Sequence, residues 1–305
     1  MEHKLFDEVF ELPHADFKDE YDRLVGLDKT KELLLKEGRL LLKPNLLDDW
    51  SNKQHGVVLP AVTQFQRRPP LLLFAGDVGT GKTALANSFG DAIAREENLS
   101  ITVLRLSLIT RGRGAVGEMT TLIGRAFDEV EELLKGGGAP GGRKRGQAAI
   151  LIIDEADAIA ESRAVDQMHH EDKAGVNALI RGIDRFTTRT LSILVVLCTN
   201  RRGALDPAIQ RRAVSVFHFN RPNHEQIALV LERSLAGALS KADCNQVARE
   251  MVPGQKQKYG YTYSDITQRY LPSLLLEAFP DKRVTLQLAI EVAKSIEPTK
   301  PFSDE

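Results

Sequence analysis

Eight residues, GDVGTGKT at 76–83, set three glycines, a lysine and a hydroxyl in the spacing G-x-x-x-x-G-K-[ST]. Each residue type answers a need of a phosphate group. Gly76, Gly79 and Gly81 let backbone N–H groups turn inward where a Cβ would intrude. Lys82 brings positive charge to phosphate oxygens, and the Thr83 hydroxyl suits the shell of Mg²⁺. The apolar run PLLLFA precedes the loop and TALANSFGDAI follows it. The loop is therefore expected to join a strand to a helix whose N-terminus favours an anion. The pattern predicts ATP with Mg²⁺, held by Gly76, Asp77, Val78, Gly79, Thr80, Gly81, Lys82, Thr83 and Ala84.

A second set of residues supplies acid–base chemistry. AAILIIDEAD at 148–157 is an apolar strand that ends abruptly in Asp154 and Glu155. Two carboxylates at the carboxyl end of a buried strand stand where open α/β sheets bind ligands. Asp154 is expected to share the Mg²⁺ shell with Thr83, and Glu155 to orient and deprotonate the attacking water. A third strand, SILVVLCTN at 192–200, ends in Asn200, which could hydrogen-bond that water or the γ-phosphate.

The elements that must position these groups can be read from apolar runs. Five runs rich in Leu, Val and Ile lie at 71–75, 101–106, 149–153, 192–198 and 214–219, and helical patterns separate the first four. Continuous apolar strands alternating with helices predict a five-stranded parallel sheet with helices on both faces. Residues 223–297 carry only helical patterns, at 223–236, 240–252, 263–279 and 284–296. The expected organisation is a tail or short helix over 1–20, a large α/β domain over 21–221 and a small all-α lid over 222–305. With 41 basic and 42 acidic residues the chain carries a net charge of −1, so no global field favours nucleic acid or an anionic membrane. Cys198 and Cys244 are the only cysteines, which excludes a disulfide framework. The N-terminus lacks the apolar core of a signal peptide, and no run reaches the length of a membrane span. A soluble, cytoplasmic protein is expected.

Further stretches carry a family resemblance. TNRRGALDPAIQRRAVSVFHFNRP at 199–222 resembles the TNRPxxLDPAxxRR…P segment of AAA+ ATPases, and VGLDKTKELLL at 25–35 resembles the turn that precedes their phosphate loop. The resemblance spans residues 21 to about 290. It implies that Val25 and Gly26 contact the nucleotide. It also implies that Arg211 and Arg212 are arginine fingers reaching the ATP of a neighbouring subunit, so that a lone protomer leaves both in solvent. A head-to-tail ring follows, six subunits being the family's habit. IDEADAIAESRAVDQMHHEDKAGVNALIRGID at 153–184 is similar to the corresponding stretch of the pachytene checkpoint subfamily, which remodels HORMA-domain proteins. The short segment ahead of VGL resembles its compact bacterial members, which accompany HORMA proteins and a cyclic-nucleotide synthase in anti-phage defence.

Two departures from that pattern stand out. The pore loop at 107–118 carries Ala115 and Val116 where relatives carry an aromatic pair, with Arg111 and Arg113 in a slightly lengthened loop. Those four residues are the expected substrate contacts. GYTYSDITQR at 260–269 resembles the lid's GYSGADI segment, but no arginine stands in the sensor register, and Arg269 follows one turn later. The leading reading is ATP-driven remodelling of a protein partner, a HORMA-domain protein by resemblance. A nucleotide-switched DNA-binding or clamp-loader protein and an activase of a metabolic enzyme are the alternatives. Against the DNA-binding reading stand the net charge and the lack of a helix-turn-helix after the lid.

Overall fold

The computed structural model describes residues 5–108, 118–136, 146–157, 170–187, 191–201, 205–254 and 258–301. Six strands run in chain order as β1 (Glu8–Leu12), β2 (Leu71–Gly76), β3 (Leu99–Ser107), β4 (Gly146–Asp154), β5 (Ile193–Thr199) and β6 (Ser215–Phe219). Four helices, α1 (Ala15–Arg23), α2 (Asp28–Leu42), α3 (Asn45–His55) and α4 (Pro60–Gln66), lie between β1 and β2. Helix α5 (Lys82–Glu97) follows β2, α6 (Glu118–Lys135) follows β3, α7 (His170–Arg185) follows β4, and the short α8 (Pro207–Gln210) follows β5. The chain divides into two compact units, one of residues 1–22, 29–75 and 83–218, the other of 23–28, 76–82 and 219–305.

The sheet order is β1-β3-β4-β5-β2-β6. The ladders β3–β4, β4–β5 and β5–β2 are parallel, as the uninterrupted apolar runs require. Alternate residues face opposite layers. Leu71, Leu73, Leu151, Ile153, Val195 and Leu197 join the core formed with α6 and α7. On the other face Phe74 meets Phe89 of α5, with ring centroids 6.3 Å apart. Helix α2 closes against α5 at Gly38, where an added Cβ would stand 2.6 Å from Ile93 Cδ1.

Residues 1–20, expected as a tail or short helix, hold β1 and the start of helix α1, and β1 adds a sixth strand to the five foreseen. β1 pairs antiparallel with β3, from Glu8 opposite Arg105 to Leu12 opposite Ile101. Its side chains explain the pairing. Glu8 meets Arg105 at 2.7 Å and the Thr102 hydroxyl donates to Glu11 at 2.6 Å, while Phe6 and Leu12 are buried. An opposite-charge pair and a hydroxyl–carboxylate bond across the ladder each add to sheet stability. β1 thus covers the edge that β3 would otherwise expose.

The second unit contains the C-terminal helices α9 (His224–Ser234), α10 (Lys241–Met251), α11 (Leu271–Ala278) and α12 (Leu286–Ser295). Asn223 and Ser240 begin α9 and α10 with reciprocal capping boxes, closed by Gln226 and Asp243. The predicted helix over 263–279 is in fact two pieces, a π-helical turn at Asp265–Tyr270 running straight into α11. Buried Tyr261 and Tyr270 donate to the carbonyls of Ala293 and Ala289, and burial pushes both phenols above their ordinary range. Burial alone would push the Asp265 carboxyl up. Hydrogen bonds from Thr262, Thr299 and Arg269 overcome that and hold it below the usual carboxylate range. Among the described residues no helix is long and apolar enough to cross a membrane. Cys198 and Cys244 are both buried.

Two helical glycines make opposite predictions. A Cβ on Gly182 of α7 would stand 2.2 Å from the ring of buried Phe127, whereas a Cβ on Gly124 of α6 would meet nothing within 4 Å. Gly182→Ala should therefore destabilise the fold by about 1–3 kcal/mol through overpacking. Gly124→Ala should be neutral or stabilising by up to about 1 kcal/mol through helix propensity. Denaturant midpoints of the two variants check both.

Candidate active site

The parallel register gathers the chemistry at one edge of the sheet. Ser107 lies opposite Asp154, Ile153 opposite Leu197, and Thr199 opposite Ala75. The carboxyl ends of β3, β4, β5 and β2 are therefore level, and Asn200 follows β5 between the strands that carry Asp154 and the phosphate loop.

In the first unit, the Thr83 hydroxyl donates to Asp154 Oδ2 at 2.9 Å. The first turn of α5 and the end of β4 are thus joined by a hydroxyl and a carboxylate. Those are the oxygen ligands that a small hard cation such as Mg²⁺ takes. Asp154 Oδ1 accepts the amide of Glu155 at 2.9 Å, and the amide of Ala156 donates to the Cys198 carbonyl at 2.9 Å. Glu155 has φ 55°, a left-handed conformation that costs a non-glycine residue about 1–2 kcal/mol. Such a residue persists only where its surroundings over-determine it. Here Ser107 Oγ donates to Glu155 Oε2 at 2.6 Å. Ser107 opens the pore-loop stretch of the sequence, and nothing in its sequence context signals this place beside Glu155. Asn200 is half-buried, and its amide approaches Asp157 Oδ1 at 3.3 Å.

In the second unit, Gly79 and Gly81 take φ 72° and 93°, so both need glycine. A Cβ on Gly76 would stand 2.1 Å from the Phe219 carbonyl oxygen. The loop is braced from within: Asp77 Oδ1 accepts the amide of Val78 at 2.8 Å, and the Thr80 hydroxyl donates to the Asp77 carbonyl at 2.7 Å. Buried Lys82 donates to the carbonyls of Gly76 and Asp77 at 3.0 and 2.8 Å, which curls its ammonium onto the loop. The cradle that these glycines form fits a phosphate group. Ala84, which belongs to the first unit, lies in the first turn of α5, and its carbonyl accepts from Ser88. Val25 is buried in the helical core of this unit, and the Gly26 carbonyl accepts from Gln226 at 2.8 Å. Next to them, Leu24 lies 3.8 Å from where a Cβ on Gly81 would be.

C-terminal residues that the sequence did not single out also grip this loop. Arg221, read only as a domain boundary, contacts Asp77 Oδ2 through Nε at 2.8 Å and Nη2 at 2.6 Å, and donates to the Gly260 carbonyl at 2.5 Å. The amide of Ser264 donates to the Gly79 carbonyl at 3.1 Å. Arg269, by contrast, is engaged by Asp265 and the Glu297 carbonyl.

The two arginines paired in the sequence part company in the structure. Arg211 is exposed, and its side chain makes no hydrogen bond or ion pair with any described residue. Arg212, expected in solvent, is instead held through Nε and Nη2 by Asp184 at 2.7 and 2.9 Å, and also donates to the Ala208 carbonyl. The hydrogen bonds it donates to Asp184 hold its guanidinium above the ordinary arginine range. Both lie in the turn that follows α8, and Asp184 of α7 takes only Arg212. Arg111, Arg113, Ala115 and Val116 lie outside the described residues.

A glycine cradle entering a helix, an Asp-Glu pair at the end of a parallel strand and a C-terminal helical region define a P-loop ATPase of the AAA class. Residues 72–221 match the ATPase family associated with various cellular activities, and the chain belongs to that family. Within it, CD-NTase-associated protein 6 of Escherichia coli strain MS 115-1 is 46% identical over 305 residues, covering 99% of this chain and 97% of that protein. A solved complex of HORMA, CdnC and Trip13 from E. coli MS115-1 contains a chain with TM-score 0.88 and 44% identity, covering 98% of this chain and 97% of that one. A Rhizobiales Trip13 structure matches with TM-score 0.74 and 36% identity, over 97% of this chain and all of that one. The chain is an ATPase of this family and binds nucleotide.

The Arg221–Asp77 pair generates a test. Both side chains are mostly buried, at 16% and 17% exposure, so removing either leaves a charge poorly solvated. Arg221→Ala and Asp77→Ala should each weaken ATP binding by roughly tenfold through a loosened loop. The double variant should lose clearly less than the product of the two, as a titration with fluorescent nucleotide would show.

Proposed function

We propose that this chain assembles into a head-to-tail ring that its turnover requires, and uses ATP hydrolysis to remodel a HORMA-domain protein. The observation that carries the partner is the near full-length similarity to a protein solved in complex with HORMA and CdnC. On this reading the setting is bacterial anti-phage signalling through a cyclic-nucleotide synthase, and the ring is hexameric and cytoplasmic.

In the proposed mechanism the backbone of Gly76–Lys82 receives the phosphates, and the Lys82 ammonium exchanges the Gly76 and Asp77 carbonyls for phosphate oxygens. Thr83 and Asp154, already 2.9 Å apart, would hold Mg²⁺, which when bound neutralises charge on the phosphate oxygens. Glu155 takes the proton of the attacking water, oriented by Ser107. Asn200, following the strand between, senses the γ-phosphate on this reading. Arg211 is the residue with a guanidinium to offer a neighbouring subunit, because Arg212 is committed to Asp184. Arg111, Arg113, Ala115 and Val116 contact the partner polypeptide.

Glu155→Gln should bind ATP and assemble, yet lose turnover by on the order of 10²–10⁴-fold, the worth of a positioned base. The same variant should trap a HORMA partner in co-purification; turnover within a few-fold of wild type removes Glu155 as the base. Lys82→Ala should fail to bind nucleotide.

Arg211→Ala should bind ATP normally but hydrolyse it poorly, and mixing it with Lys82→Ala subunits should restore part of the activity. Such mixtures create interfaces with an intact phosphate loop on one side and an intact finger on the other. Arg212→Ala should act within its own subunit, lowering stability by about 1 kcal/mol as a partly exposed ion pair is lost. No recovery at any ratio, with co-assembly confirmed, excludes action in trans.

A further inference from the structure

The N-terminal strand does more than close a sheet edge. Asp7, one residue ahead of β1, donates its amide to the Arg105 carbonyl at 2.9 Å, continuing the ladder toward the end of β3. Its carboxylate Oδ2 then accepts the backbone amide of Ser107 at 2.6 Å. Ser107 is the last residue of β3, and its hydroxyl is the group that holds Glu155 Oε2. Three residues 48 to 148 positions apart in the chain thereby form one relay from the N-terminus to the carboxylate read above as the base: Asp7 carboxylate, Ser107 amide, Ser107 hydroxyl, Glu155 carboxylate.

The chemistry of each link favours a role in orientation. A charge-assisted bond from an amide to a carboxylate is among the stronger hydrogen bonds, so it fixes the Ser107 backbone at a strand end that would otherwise fray. Fixing that backbone fixes the direction of Oγ. A base needs a lone pair aimed at its proton, and with Oε2 engaged by Ser107 the carboxylate plane is set and Oε1 is left to do the work. The neighbouring anchors keep Asp7 in place: Phe6 is buried in the sheet's core, and Glu8 pairs with Arg105.

We infer that Asp7 is a positioning residue for ATP hydrolysis, acting through Ser107 on Glu155, so that the N-terminal segment sets the turnover rate of the site. The inference rests on Glu155 being the base, and Glu155→Gln tests that separately. It is checked by steady-state ATPase assays on the full chain. Asp7→Ala should lower kcat by about three- to tenfold, the worth of one hydrogen bond to orientation, with KM for ATP unchanged. Asp7→Asn, whose side-chain oxygen still accepts from the Ser107 amide, should retain turnover close to wild type. In a Ser107→Ala background, Asp7→Ala should add nothing, because the relay is already cut. Thermal melting of each variant separates a lost relay from a lost fold. The inference is overturned if Asp7→Ala leaves kcat unchanged or raises it, if Asn behaves as Ala does, or if the loss is equally large without the Ser107 hydroxyl. If those outcomes coincide with an inactive Glu155→Gln protein, the base stands and only the relay falls.

Discussion

The chemistry of this ATPase depends on the registration of four parallel strands. β3, β4, β5 and β2 are aligned so that their carboxyl ends finish level, and that alone brings Ser107, Asp154, Asn200 and the entry to the phosphate loop to one edge. Strand residues advance about 3.3 Å each, and a slip of one residue also turns every side chain to the opposite face. A two-residue slip would restore the faces but carry Asp154 some ~6.6 Å along the strand, far beyond the 2.9 Å bond to Thr83. The buried apolar side chains on both faces make either slip costly. The hydrophobic layers thus act as the jig for a polar site that has little packing of its own.

Most of this frame was legible in the sequence because it is periodic or contiguous. The strands that carry the site and the C-terminal helices announce themselves by apolar runs and helical spacing, and the phosphate loop is a single unbroken string. β1 was not legible. EVFEL is five residues long and contains two glutamates, and what makes it a strand is Thr102 and Arg105, 91 and 97 positions from the glutamates they meet. The same limit applies to the site. Asp154 and Glu155 could be read from their place at the end of an apolar strand, whereas Ser107 and Arg221 acquire meaning only from the carboxylates they meet in space. The two arginines at 211 and 212 look equivalent in the chain. The carboxylate of Asp184, 28 positions earlier, is what distinguishes them.

The phosphate loop belongs to the same compact unit as the C-terminal helices, and its bonds say why. Asp77 is held by Arg221 and the Gly79 carbonyl by the amide of Ser264. A phosphate arriving at the loop adds negative charge beside Asp77, so the Arg221 guanidinium faces two claims on its donors. This gives the helical region a direct electrostatic stake in what the loop holds, through two bonds and no intervening lever.

The π-helical turn at Asp265–Tyr270 has a consequence for what the helical region presents to its surroundings. It carries one more residue than an α-turn, and each residue of an α-helix is worth about 100° of rotation. All of α11 is therefore a notch out of phase with the helix that its sequence would make if wound evenly. Wound evenly, the same sequence would bring Ser273 and Glu277 to the places that Leu274 and Ala278 occupy in the core. As built, small Ala278 is inside and Phe279 is outside with 78% of its surface exposed, beside Leu276 at 75%. A single residue of winding thus keeps an apolar pair in the core and leaves Leu276 and Phe279 on the surface of the helical region.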